Sequence, residues 1–128
     1  MEEQFHTLKA DMARHSLADY PAEACGIITT DFVYIPCKNI SNYPKKSFIL
    51  DPVAIYENED KLWGFYHSHP GEENPLPSEQ DLHATIFKDY KFIVGFKDKF
   101  YIYWIDKFLR YEPFEIKHLD VQNNILSF

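Results

Sequence analysis

Two histidines flank a serine in "GFYHSHPGEENPLPSEQDL", residues 64–82, and a proline-rich loop leads from them to Ser78 and Asp81. On a β-strand, residues i and i+2 face the same side. His67 and His69 would therefore present two imidazoles together, with Ser68 turned away. Neutral imidazoles are good zinc ligands. An H-x-H pair alone is a weak signal, and two half-exposed strand histidines are the bland alternative. Asp81 strengthens the case. A carboxylate in the first turn of the next helix can fold back toward the strand end, giving a His2Asp set with a fourth position left for water. Such open sets are catalytic rather than structural. Asp81 could equally serve as a helix cap, and the two roles are compatible.

Hydrolysis at such a site also needs a base. Glu23, in "YPAEACGII", precedes an apolar strand where packing has no use for an acid. Its carboxylate could take a proton from water and pass it to a leaving amine. The alternative is a solvated turn glutamate. Ser78 could donate to the oxyanion of a tetrahedral intermediate, or act only as the N-cap of its helix. Glu72 and Glu73 lie in the loop and read as solvated, with substrate contact as the other option. Cys25 reads as a small buried residue rather than a nucleophile. His83 lies off the face of Asp81 and reads as solvated.

The elements that position these groups follow from spacing. Phe5, Leu8, Met12 and Leu17 predict a first helix ending near Tyr20, stopped by Pro21. "CGIITT" and "DFVYIPCKNI" predict two strands, with Pro36 marking an edge or an interruption in the second. "SFILD" reads as another strand. "PVAIYENEDKL" is ambiguous, with Pro52 suited to a helix start. "WGFYHSH" predicts a strand running into the loop, and "EQDLHATIFKDY" a helix behind the Ser78 cap. "KFIVGFKD" and "KFYIYWID" predict a hairpin, and "LRYEPFEI" a closing strand. Interleaved helices and strands with hairpin neighbours indicate an α/β fold with a mixed, largely antiparallel sheet flanked by helices.

The length of 128 residues fits one domain over 1–128, with 119–128 as a loose C-terminal tail. A hydrophobic share of 45% is enough to build one core. The net charge of −7 argues against a nucleic-acid partner, which would call for clustered Lys and Arg. Two cysteines are too few for a secreted disulfide framework. "MEEQFHTLKADMARH" has no apolar signal-peptide core, and no apolar run approaches the ~20 residues of a membrane span. The expected compartment is cytoplasmic, with no membrane partner.

"EACGII", then "HSHP", then "PSEQD" together resemble the JAMM (MPN-plus) zinc metalloproteases, whose motif is an upstream Glu, H-[ST]-H-P, a loop and S-x-x-D. The resemblance implies Zn2+ held by His67, His69 and Asp81, with Glu23 as general base and acid and Ser78 as oxyanion donor. It also implies a single JAMM (MPN) domain with a cytidine-deaminase-like layering. One departure is visible: the gap from His69 to Ser78 is one residue longer than the family's usual loop. A narrower resemblance is to the N-terminal domain of bacteriophage tail-assembly proteins, carried by "YPAEACG", by Tyr34, Pro36, Cys37 and Asn39, and by Phe48, Leu50 and Pro52. These latter positions mark lineage rather than chemistry. The function so implied is a zinc-dependent peptidase or isopeptidase in phage tail assembly, acting on a protein or peptide such as a tail protein. A separate cell-wall peptidase is a conceivable partner, since fuller phage proteins often append one. The alternatives are a JAMM protease cleaving a ubiquitin-like or sulfur-carrier protein, and a non-catalytic MPN scaffold.

Overall fold

The structure, a computed structural model, describes residues 2–72, 75, 90–97, 99–104, 112–116, 118–120 and 125–127. Helix α1 (Glu2–Asp19) comes first. Among its described side chains, Leu8, Met12 and Ser16 are buried at a spacing of four, which keeps them on one stripe. Leu17, expected on that stripe, is instead 56% exposed. Five residues on from Met12 carry the helix about 140° past the stripe, and Ser16 takes the inward position. Its hydroxyl donates to the Met12 carbonyl and meets the Tyr66 hydroxyl. Burying Leu8 and Met12 contributes roughly 1.5–3 kcal/mol each in transfer terms.

Strand β1 (Cys25–Thr29) is buried along its whole length, as befits a strand covered on both faces. It turns into β2 (Tyr34–Cys37) through Thr30, Asp31 and Phe32. Phe32 sits at φ 62°, the left-handed position of a three-residue hairpin loop that normally favours glycine. Its ring is buried edge-on against Trp63 at 5.1 Å, which offsets the backbone cost. Helix α2 (Pro52–Glu57) starts as its sequence predicts: Pro52 opens it, and the Asp51 carboxylate accepts from the Val53 amide. Strands β3 (Leu62–Ser68), β4 (Lys91–Phe96), β5 (Lys99–Tyr103) and β6 (Phe114–Glu115) follow. Residues 105–111, which include the first three residues of the predicted closing strand, lie outside the described residues.

These six strands form one sheet in the order β2-β1-β3-β4-β5-β6. Every neighbouring pair is antiparallel except β3 and β4, so the sheet is mixed and largely antiparallel, as expected. Pro36 lies on the edge strand β2, where the missing N–H costs no ladder bond. One face of the sheet carries Ile28, Tyr34, Tyr66, Ile93, Phe100 and Ile102 against Leu8 and Met12 of α1. A second cluster gathers Ile27, Phe65, Phe92, Val94 and Tyr103, with Leu50 and the α2 residues Ala54 and Ile55 packed on it.

The predicted strand "SFILD" does not form. Only an isolated bridge pairs Asn39 with Leu50. Two main-chain bonds, from the Ile40 amide to the Ile49 carbonyl and from the Asp51 amide to the Lys38 carbonyl, flank that bridge, and the Asn39 side chain takes further groups: its oxygen accepts from the Ser41 and Ile49 amides, and its NH2 donates to the Ser47 carbonyl. At the other end, where a loose tail was expected, β7 (His118–Asp120) pairs antiparallel with β8 (Ile125–Ser127). No helix among the described residues is long and apolar enough to cross a membrane.

Candidate metal centre

β3 brings His67 into the middle of the sheet, in register with Cys25 on one side and Val94 on the other. It is 1% exposed. His69 lies just past the strand end, tied to β4 by its amide, which donates to the Gly95 carbonyl. The period-two geometry holds across this boundary. Both imidazoles turn the same way, and their Nε2 atoms stand 3.2 Å apart. Two zinc ligands at ~2.0–2.1 Å with a tetrahedral angle between them would be separated by roughly 3.3 Å. The spacing is that of a chelating pair.

Glu23 precedes β1 and comes to the same place because β1 runs antiparallel to β3. The Ala24 amide donates to Ser68 Oγ at 2.8 Å, and the Ser68 amide donates to the Ala24 carbonyl at 2.9 Å. This double tie sets Glu23 opposite His69. The Glu23 main chain is fixed on both sides: its amide donates to the Pro44 carbonyl, and its own carbonyl accepts from Asn39 Nδ2 at 2.9 Å. The residue is only 6% exposed, so it is not a solvated turn glutamate. Glu23, His67 and His69 each offer one ligand atom, and the three atoms lie within 4.8 Å of one another. The structure thus joins three of the five residues singled out in the sequence. Ser78 and Asp81 lie outside the described residues, as do His83, Glu73 and all but the last residue of the helix predicted behind Ser78.

Three contacts were not legible as functional in the sequence. Phe48 stacks on His67, with ring centroids 4.4 Å apart and planes 21° apart. It therefore covers one face of an imidazole, although its sequence pattern marked only lineage. Asn39 belongs to the same pattern and joins Glu23 to the segment that carries Phe48. Glu72, which read as a solvated loop residue, places Oε2 3.2 Å from His69 Nδ1. The remaining signal was local: Pro70-Gly71 between the two is a turn-forming pair. Cys25 is as bland as expected. Burial, with smaller contributions from Cys37, Asp19 and Glu23, pushes its thiol up to about 12, so it holds no thiolate near neutrality.

What this arrangement can do follows from its donor types. One buried and one half-buried imidazole together with a buried carboxylate suit a divalent ion of zinc's preference, with the carboxylate near enough to bind directly or through one water.

Residues 6–100 match the Prok-JAB family, described as prokaryotic homologs of the JAB domain. The chain is 33% identical over 89 residues to a desampylase of Haloferax volcanii, covering 59% of this chain and 63% of that protein. It is 39% identical over 82 residues to the tail tip assembly protein K of Escherichia phage N15, covering 59% of this chain and 32% of that protein. The match thus spans less than two thirds of either relative. A solution structure of a protein from Salinibacter ruber superposes with a TM-score of 0.53 at 16% identity, covering 86% of this chain and 84% of that one, which shows a shared fold. With the matched region running from α1 into β5 and enclosing all three converging side chains, the chain belongs to the family of prokaryotic JAB-domain proteins.

Proposed function

We propose that this protein is a zinc-dependent peptidase or isopeptidase that hydrolyses an amide bond in a protein substrate, and that it works in phage tail assembly. The observation that carries the reading is the convergence of Glu23, His67 and His69, with the two Nε2 atoms at chelating distance. In this reading His67 and His69 hold the ion from the sheet. Asp81 is the third ligand and Ser78 the oxyanion donor, both supported by the JAMM motif alone. Zinc bound there would polarise water and the scissile carbonyl. Glu23 accepts the proton given up by the attacking water and delivers it to the departing nitrogen. Glu23 is suited to this work because it is buried, its main chain is anchored at both peptide groups, and its carboxylate lies beside the two histidines.

The tail context is supported by the similarity to tail tip assembly protein K and by the resemblance of the Tyr34, Pro36, Cys37, Asn39, Phe48, Leu50 and Pro52 pattern to tail-assembly proteins. Tail proteins are then the substrate or partner, and a separately encoded cell-wall peptidase would be a companion. A second reading, cleavage of a ubiquitin-like or sulfur-carrier protein, is favoured by the similarity to the desampylase. A third, a non-catalytic scaffold, keeps the same ion for structure only.

One experiment separates them. Wild-type protein and Glu23→Gln are assayed for zinc content and for cleavage of tail proteins and of ubiquitin-like fusions. The expected result is equal zinc in both and cleavage by the wild type, lowered roughly 10²–10⁴-fold in the variant. Cleavage of ubiquitin-like fusions alone moves the assignment to the second reading. Bound zinc with no cleavage of either substrate class supports the scaffold, and absence of zinc from the wild type removes the metal chemistry altogether.

A further inference from the structure

We infer that Glu72 is a positioning residue for His69: its carboxylate accepts from Nδ1–H and so fixes the tautomer that leaves Nε2 free to bind metal. The inference rests on the zinc reading above, and it names a residue outside the motif that carries that reading.

Two observations lead to it. The first is the division of the His69 ring. Nε2 faces His67 Nε2 at 3.2 Å, while Nδ1 faces Glu72 Oε2, also at 3.2 Å. A neutral imidazole has one N–H and one lone pair. A carboxylate can only accept, so it selects the form protonated at Nδ1. The lone pair then lies on Nε2, on the side shared with His67 and Glu23. Metal-binding histidines commonly use their second nitrogen in this way, which orients the ring and raises its basicity.

The second observation is that the local backbone is built to deliver the carboxylate. His69, Pro70, Gly71 and Glu72 form a turn closed by the Glu72 amide donating to the His69 carbonyl at 3.3 Å. Pro70 stands at the second position and Gly71 at the third with φ 80°, the type II pattern, in which the third residue needs a positive φ. A Cβ on Gly71 would meet nothing within 4 Å. The glycine is therefore required for its backbone conformation and not for space. The turn reverses the chain immediately after His69 and returns the residue three places on to the ring it has just left. The Glu72 side chain is 55% exposed, against 11% for His69, so its removal leaves no buried hole and should not disturb folding.

The test uses the full-length protein with three substitutions: Glu72→Ala, Glu72→Gln and Gly71→Ala. Zinc affinity is measured by competition with a chromophoric chelator. The His69 tautomer is read in the zinc-free protein from long-range 15N–1H correlations of the ring. Glu72→Ala should weaken zinc binding by about 10–100-fold, the usual range for loss of such a partner, and should lower the fraction protonated at Nδ1. Glu72→Gln keeps an acceptor oxygen and should restore the tautomer and most of the affinity. Gly71→Ala should move both readings in the direction of Glu72→Ala, although it touches neither ring. Zinc affinity within twofold of wild type in Glu72→Ala, or an unchanged tautomer there, overturns the inference. Failure of the wild type to bind zinc would count against the proposed function instead, and the tautomer measurement would then decide the role of Glu72 by itself.

Discussion

Ser68 stands between the two histidines but points away from them, and the structure gives it a task that can be tested by removing one atom. Its Oγ accepts from the Ala24 amide at 2.8 Å, and both residues have no exposed surface. This is where the β1–β3 ladder ends: Cys25 pairs with His67, and one step further a side-chain oxygen stands in for the main-chain acceptor. Ser68→Ala leaves the Ala24 N–H buried without that partner. A buried amide that loses its acceptor costs about 1–3 kcal/mol. The companion bond from the Ser68 amide to the Ala24 carbonyl stays, so the loss should fall near the middle of that range, about 2 kcal/mol. With a urea m-value of ~2 kcal/mol/M, that lowers the unfolding midpoint by roughly 1 M. The assay is urea unfolding of the zinc-free protein, followed by tyrosine and tryptophan fluorescence. Ser68→Thr retains the hydroxyl and should recover much of the loss. Because Ala24 adjoins Glu23, Ser68→Ala should also lower any Glu23-dependent cleavage beyond what stability explains. A midpoint for Ser68→Ala within about 0.2 M of wild type would refute the argument that this hydroxyl closes the ladder.

Three further outcomes are expected. Gly64→Ala places a Cβ 2.3 Å from the Lys91 carbonyl oxygen, a main-chain atom that can yield only if the parallel β3–β4 pair opens. Overpacking of this kind costs about 1–3 kcal/mol, and calorimetry should show a melting temperature lower by roughly 5–10 °C. His15 has its pKa lowered from 6.5, chiefly by burial, with Asp19 opposing. The unfolded chain therefore binds that proton more tightly than the folded one, so stability is full above pH 6.5 and falls as pH drops below it. Urea midpoints between neutral and mildly acid pH should show a shallower slope in His15→Gln than in wild type. Finally, burial pushes Cys25 up to about 12 and Cys37 up to about 11. Both thiols should resist an aromatic disulfide reagent at pH near 8 in the native protein and react promptly in urea, and fast native labelling would contradict their packing.

The family was legible through the resemblance of its spread motif, while the paired imidazoles and most of the element order were legible because each depends on neighbours along the chain. Strand periodicity alone turns His67 and His69 to one side. Pro52 can open a helix and Pro36 can lie on a sheet edge for reasons internal to the pyrrolidine ring. The exceptions have identifiable causes. Leu17 broke the apolar stripe because a fifth-residue spacing leaves the helix face that Leu8, Met12 and Ser16 share. "SFILD" had the composition of a strand, but the Asn39 side chain took the Ser47 carbonyl and the Ile49 amide, which left only two main-chain bonds and an isolated bridge to the 38–40 segment.

What only the tertiary structure decided is which distant groups stand around the imidazoles. The Ala24 amide and Ser68 hydroxyl are 44 residues apart in the chain, and their bond exists because β1 and β3 are antiparallel neighbours in one register. That same pairing delivers Glu23 to His69. The stacking of Phe48 on His67 depends on how residues 38–51 fold back across Glu23. Sheet order and register arise from the summed burial of two apolar faces. No short window of residues contains that sum, so the pattern could nominate the donors while the assembled sheet alone could bring them within reach of one ion.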